Sequence, residues 1–145
     1  MKHTASTVGD MTQAMGANRG ATPLFISHSA DDHVVGLRAA QKLRDSWIAC
    51  YDLDADSGDV TQGRHHRKPW SLTSYSDGEG ASALDYLVLK GYEHGWYGGA
   101  PGPFSVPDAP DVSNMIWSFF ARHPRRGKRR TVEPSSSDRL RLMAS

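Results

Sequence analysis

The sequence predicts an α/β fold, in the order strand, helix, β-hairpin, helix, and three observations carry that expectation. "PLFISH" (Pro23–His28) is a compact apolar run with proline at its start, which suits a buried strand. "VVGLRAAQKLRDSWIACY" follows, with apolar residues recurring at helical spacing. "WSLTSYS" and "SALDYLVLK" are β-prone runs that flank "DGEGA", where Asp-Gly and a further glycine signal a hairpin.

Composition sets the bounds. A chain of 145 residues, 38% hydrophobic and 23% charged, suits one ordinary globular domain. The net charge of +1 hides an asymmetry. From Arg122 onward eight Arg or Lys stand against Glu133 and Asp138, so the tail carries +6 and the remainder −5. A basic tail can bind nucleic acid or a membrane surface. No aromatic residue is interleaved for base stacking, so a solvated extension is the simpler reading and no nucleic acid is expected as a partner. No apolar stretch approaches the ~20 residues a bilayer needs, so no membrane is expected either. The start, "MKHTASTVGDMTQAMG", has one lysine and no continuous apolar run, unlike a secretory signal. The single cysteine, Cys50, excludes an internal disulfide, and its apolar neighbours Trp47, Ile48 and Tyr51 mark it as a buried structural thiol.

In chain order, residues 1–22 are polar, and "VGDMTQAM" predicts a short helix after Asp10. The strand Pro23–His28 ends in the loop "SADDH", where Asp31 or Asp32 can cap the next helix. That helix is expected over Val34–Tyr51, with Val34, Leu37, Ala40, Leu43, Trp47 and Ile48 near one face. "DLDADSGDVTQGRHHRKP" reads as a polar, irregular insertion. Its Asp52, Asp54, Asp56 alternation is reminiscent of a calcium loop, but such a loop has glycine after the third acid and glutamate in its twelfth place. Here those places hold Ser57 and Gly63. His65 and His66 are adjacent, so on a regular element their side chains diverge. No metal and no cofactor is therefore expected. After the hairpin comes the loop "KGYEHGWYGGAPG" (Lys90–Gly102), then the Pro-rich "PGPFSVPDAP". "DVSNMIWSFFARHP" predicts a helix capped by Asp111, with Ile116, Phe119 and Phe120 as its apolar face and Pro124 as its stop. The chain thus divides into a partly helical segment 1–22, an α/β portion 23–124 and a disordered basic tail 125–145.

Two loops follow predicted strands and carry chemistry. One offers Asp32, the other His94. If their strands are parallel neighbours, both loops emerge at the same sheet edge, where open α/β sheets carry their sites. A carboxylate bonded to one imidazole nitrogen sets the tautomer and leaves the other nitrogen to act as a base. Acid before histidine is the chain order of the α/β-hydrolase triad.

"PLFISHSADDHVV", "GYEHGWYGG" and "PDVSNMIWSFFARHP" together resemble the C-terminal part of the polyhydroxybutyrate depolymerase-like esterases, a branch of the α/β-hydrolases. That family shows a strand ending in His-Gly-x-x-Asp-x-x-Val, a helix, a hairpin, a Gly-x-x-His-x-Trp-x-Gly-Gly loop and a closing Ile-Trp-x-Phe-Phe helix. The first pattern is matched by His28, Asp32 and Val35, with Ser29 where the family has glycine. The second is matched by Gly91, His94, Trp96, Gly98 and Gly99, and the likeness runs roughly from Met11 to Pro124. It implies the C-terminal portion of an α/β-hydrolase sheet, with Asp32 as triad acid, His94 as general base and Trp96 beside the base, shaping the substrate mouth. It also implies an ester substrate, either a polyhydroxyalkanoate or a small ester, and an extracellular location. No serine of the chain lies in Gly-x-Ser-x-Gly, the turn that exposes the nucleophile in this fold. The expectation is therefore a chain supplying acid and base, inactive by itself, with elbow and oxyanion hole encoded before Met1. In such a chain the strand Pro23–His28 would be an unpaired edge, open to self-association. The competing expectation is a non-catalytic hydrolase remnant or binding module.

Overall fold

The computed structural model describes residues 4–18, 22–77 and 82–123. The chain is α/β, with a mixed four-stranded sheet and helices against both faces. Helix α1 (Thr4–Met15) runs into a 3-10 turn (Gly16–Asn18), followed by strand β1 (Leu24–Ser29) and helix α2 (Leu37–Tyr51). Strands β2 (Asp59–His65), β3 (Lys68–Ser76) and β4 (Ser82–Leu89) form a meander. A two-stranded ribbon, β5 (Trp96–Tyr97) and β6 (Ser105–Val106), leads to helix α3 (Val112–Ala121). The sheet order is β1-β4-β3-β2, with β1 parallel to β4 and the other pairs antiparallel.

β4 lies inside the sheet and is covered on both faces, which is why its sequence is apolar almost throughout. Its even positions Leu84 and Tyr86 join Ile26, Tyr75 and the α2 residues Ala40, Trp47 and Ile48, with Met11 and Met15 of α1 packed alongside. Its odd positions Leu87 and Leu89 face the other way, into a cluster with Tyr92, Tyr97, Ala109 and Val112. The side-chain period of two thus splits one apolar run between two cores. On the second face the fully buried Phe119 of α3 meets Phe25 of β1 edge-to-face, with ring centroids 5.6 Å apart.

The two ends of α3 are held by named groups. Asp111 caps it, its carboxylate accepting from the Asn114 amide at 3.0 Å. At the other end Arg122 Nη2 donates to buried Asp85 at 3.2 Å, and Asp85 also accepts from Ser82 Oγ at 2.5 Å. The His123 ring bridges the carbonyls of Phe119 and Ser82. The helix is thereby tied to the start of β4, across the sheet from α2. Cys50 is fully buried, with its Sγ 3.2 Å from Thr12 Oγ1, as its apolar neighbours implied.

Several sequence expectations are corrected. α2 begins at Leu37, not Val34, with extended Gly36 as its N-cap, because the Asp32 carboxylate captures the Val34 and Val35 amides in a turn of their own. Asp32 caps that turn, and among the described residues no side chain caps the helix. Val34 is 73% exposed as a result, and Leu43 also lies outward, while Ser46 and Cys50 join the buried face. α1 starts at Thr4, well ahead of Asp10. Phe120 is half exposed, and Val112 is buried in its stead.

The stretch 52–69 is not irregular, since most of it forms the β2–β3 hairpin. The turn residues His66 and Arg67 both take positive φ (46° and 68°), as a two-residue hairpin of this twist requires. β2 is exposed along most of its length, so it has no apolar face for a sequence pattern to reveal. The turn also brings the His65 and His66 rings edge-to-face at 4.4 Å instead of letting them diverge. β3 and β4 pair as the hairpin expected, from Trp70↔Leu89 to Ser76↔Ser82, while "GEGA" at its tip lies outside the described residues. The tail beyond His123, with its expected disorder, lies outside them too. Among the described residues no helix is long and apolar enough to cross a membrane.

Candidate acid–base site

Because β1 and β4 are parallel neighbours, their C-terminal ends reach the same sheet edge. The Ala30 amide donates to Leu89 O at 2.8 Å and carries the pairing one step beyond β1. The loop after β1 presents Asp32, and the loop after β4 presents His94.

Asp32 is 6% exposed. Its Oδ1 accepts from the amides of Val34 (2.9 Å) and Val35 (2.8 Å), and its Oδ2 pairs with His94 Nδ1 at 2.8 Å. Burial pushes this carboxyl up, but the His94 hydrogen bond, the two amides and the His94 charge outweigh it and hold Asp32 at about 2. An ionised carboxylate only accepts, so the proton of this bond sits on His94 Nδ1, and the tautomer it selects has its lone pair on Nε2. The His94 side chain is 43% exposed. Beside the pair, His28 Nε2 lies 3.9 Å from Asp32 Oδ2 and donates to Val35 O at 2.7 Å, closing the Asp32 turn from the other side.

The second loop is held by close backbone approach. A Cβ at Gly95 would lie 2.7 Å from Phe104 O. One at Gly98, whose φ is +81°, would lie 2.7 Å from Asp111 Cα. Only glycine fits at either place. The tight passage lets Trp96 N donate to Phe104 O and Gly98 N to Val106 O, which builds the β5–β6 ribbon. Trp96 is half exposed, and its indole N–H donates to Ser113 Oγ at 3.1 Å, joining the loop to the first turn of α3.

The structure brings Asp32 and His94 together and sets Trp96 two residues along the same loop. Three neighbours escaped the sequence reading as members of the site. Ser29, fully buried, donates its hydroxyl to Tyr92 O at 2.6 Å. Asp31 Oδ2 accepts from Gly91 N at 2.5 Å. Tyr97 is buried, and burial first, then the Asp32 charge, pushes its hydroxyl up against the opposing pull of its hydrogen bonds to Ser29, so the phenol stays protonated. The spacing Asp31-Asp32 signalled a choice between two acids, whereas the structure uses both for different atoms. Nothing in the sequence marked Ser29 beyond its difference from the glycine of the resembling family.

Chemically, the arrangement is an oriented imidazole with an ionised carboxylate behind it and one nitrogen left to take or give a proton. Among the described residues no group of three or more His, Cys, Asp or Glu is placed to hold a metal ion. An open groove of about 430 Å³ lies over the strand ends, lined by residues that include Gly63, Arg64, Trp70, Val88 and Lys90, and neither Asp32 nor His94 lines it. No family model matches the chain, and no curated protein matches it.

Proposed function

We propose that the chain carries the acid and base of a carboxylic-ester hydrolase of the polyhydroxybutyrate depolymerase-like type, with its sheet the C-terminal portion of an α/β-hydrolase sheet. The observation behind this reading is the 2.8 Å bond between His94 Nδ1 and the buried, ionised Asp32. In the proposed reaction Nε2 of His94 takes the proton of a serine hydroxyl as that oxygen attacks the ester carbonyl. The same nitrogen then returns the proton to the leaving alcohol, and Asp32 steadies the imidazolium formed between the two steps. Trp96, half exposed beside the base, would border the substrate. The serine would come from outside these 145 residues, since none of the chain's own lies in Gly-x-Ser-x-Gly. The substrate is an ester, polymeric or small, and the site of action extracellular, both by family likeness alone.

The missing elbow motif favours one competing reading, a non-catalytic hydrolase remnant or binding module. Complementation separates the two. The chain is mixed with the N-terminal half of an esterase of this type, carrying its Gly-x-Ser-x-Gly, and turnover of a short-chain chromogenic ester is followed. The chain alone is expected to be feeble at best, because losing a triad member costs several orders of magnitude. The mixture is expected to turn over, and to stop doing so with His94→Ala or Asp32→Ala. Turnover indifferent to both substitutions, or none from a complex that demonstrably assembles, defeats the proposal. Robust turnover by the chain alone, abolished by His94→Ala, would instead reveal an unrecognised nucleophile.

A further inference from the structure

We infer that Ser29 and Asp31 are positioning residues for His94, forming a two-point clasp between the loop after β1 and the loop after β4. The inference deepens the acid–base reading and rests on it for its functional meaning.

The bond between Asp32 and His94 spans two loops, so its geometry depends on how firmly those loops are joined. The His94 side chain is 43% exposed, so water competes with the carboxylate for the ring. Two further bonds cross the same gap. Ser29 Oγ, with no exposure to solvent, donates to Tyr92 O at 2.6 Å. Asp31 Oδ2 accepts from Gly91 N at 2.5 Å. With His94 Nδ1 on Asp32 Oδ2, three bonds from Ser29, Asp31 and Asp32 reach Gly91, Tyr92 and His94. The clasp is braced from within, since Ser29 Oγ also accepts from Asp31 N at 3.2 Å.

The roles divide by chemistry. Ser29 sits where the resembling esterases have glycine, which has no side chain with which to donate. Its hydroxyl therefore adds a hold on the base loop that the glycine pattern lacks. Asp31 acts on the outer side, where its carboxylate takes the amide that begins the loop. Asp32 keeps Oδ2 for His94 while its Oδ1 holds the Val34 and Val35 amides. A loop so held keeps the imidazole on its carboxylate while the outer nitrogen turns over its proton.

The test reads the His94–Asp32 bond itself and needs no activity. In the isotopically labelled full chain, solvent exchange of the His94 Nδ1 proton is measured by NMR, with His94→Gln assigning the resonance. The Leu87 backbone amide in β4 serves as the internal reference for global opening. Ser29→Ala and Asp31→Ala are each expected to speed exchange of the imidazole proton by about five- to tenfold, the weight of one net hydrogen bond, with Leu87 protection unchanged. Asp31→Asn keeps an acceptor oxygen and is expected to restore slow exchange. Wild-type exchange in both alanine variants, or acceleration matched by an equal loss at Leu87, overturns the clasp. If Ser29→Ala does not fold, Asp31→Ala and its asparagine rescue decide alone. Failure of the ester-hydrolysis proposal would register in the complementation assay and leave this measurement intact.

Discussion

The Nδ1 atom of His94 lies 2.8 Å from Oδ2 of Asp32 across a sequence separation of 62 residues. The contact exists because β1 and β4 lie parallel in register, Ser29 against Leu89, so the loops that leave them start side by side. The same carboxylate closes a local turn with its other oxygen, and that turn displaces the start of α2 to Leu37. One buried side chain therefore serves the fold and the site together.

Removing it should be costly. Asp32→Ala deletes the acceptor for two amides and the imidazole, and is expected to destabilise by roughly 2–4 kcal/mol. Asp32→Asn keeps an oxygen for the turn while presenting its amide to His94, and is expected to cost about half as much. Urea denaturation of the three proteins, read as midpoint shifts at constant slope, checks the ranking. Equal midpoints for wild type and Asp32→Ala would contradict the turn's role in holding β1 to α2.

Acid should weaken the chain in a defined window. The Asp32 carboxyl titrates near 2 in the folded protein against an ordinary 3.8. A depressed folded value means the unfolded chain binds the proton more readily. The resulting stability is complete above about pH 4 and is lost as pH falls toward 2. Melting temperature should drop through that window in the wild type, and less steeply in Asp32→Asn. Parallel acid profiles for the two would refute the assignment.

Asp85 and Arg122 form a second long-range pair, with the carboxylate 1% exposed and the guanidinium largely in solvent. Arg122→Ala leaves a buried charge with Ser82 Oγ as its remaining described partner, and is expected to cost about 2–4 kcal/mol. Asp85→Asn with Arg122→Ala should recover part of that loss, because the uncompensated charge is gone. A double-mutant cycle by denaturant unfolding measures the coupling, and additive single effects would show the pair to be idle.

Self-association is the expected consequence of the sheet order. Among the described residues β1 pairs with β4 alone, so its other side is an open edge, and apolar Leu24, Phe25 and Ile26 lie along it. Unpaired apolar edges recruit other strands. The purified chain is expected to be oligomeric or aggregating in light scattering, with a broad melt. A monodisperse monomer with a sharp cooperative melt would favour a self-sufficient small domain.

The sequence by itself determined the elements whose causes are local. An apolar run begun by proline made β1, β-prone runs around a glycine-rich turn made the β3–β4 hairpin, and an aspartate before an apolar helical pattern made the cap of α3. It also isolated Asp32 and His94 as the residues worth pairing. Only the tertiary structure decided how far apart those two lie, because parallel pairing of strands more than fifty residues apart leaves no local pattern. Tertiary structure likewise decided that Val34 and Val35 belong to the Asp32 turn, since the choice turns on where a buried carboxylate finds its donors. β2 was illegible because its side chains face water and ladder bonds hold it in place of an apolar face. The bonds of Ser29 to Tyr92 and of Asp31 to Gly91 join backbone atoms to side chains some sixty residues away, and backbone atoms carry no sequence signature.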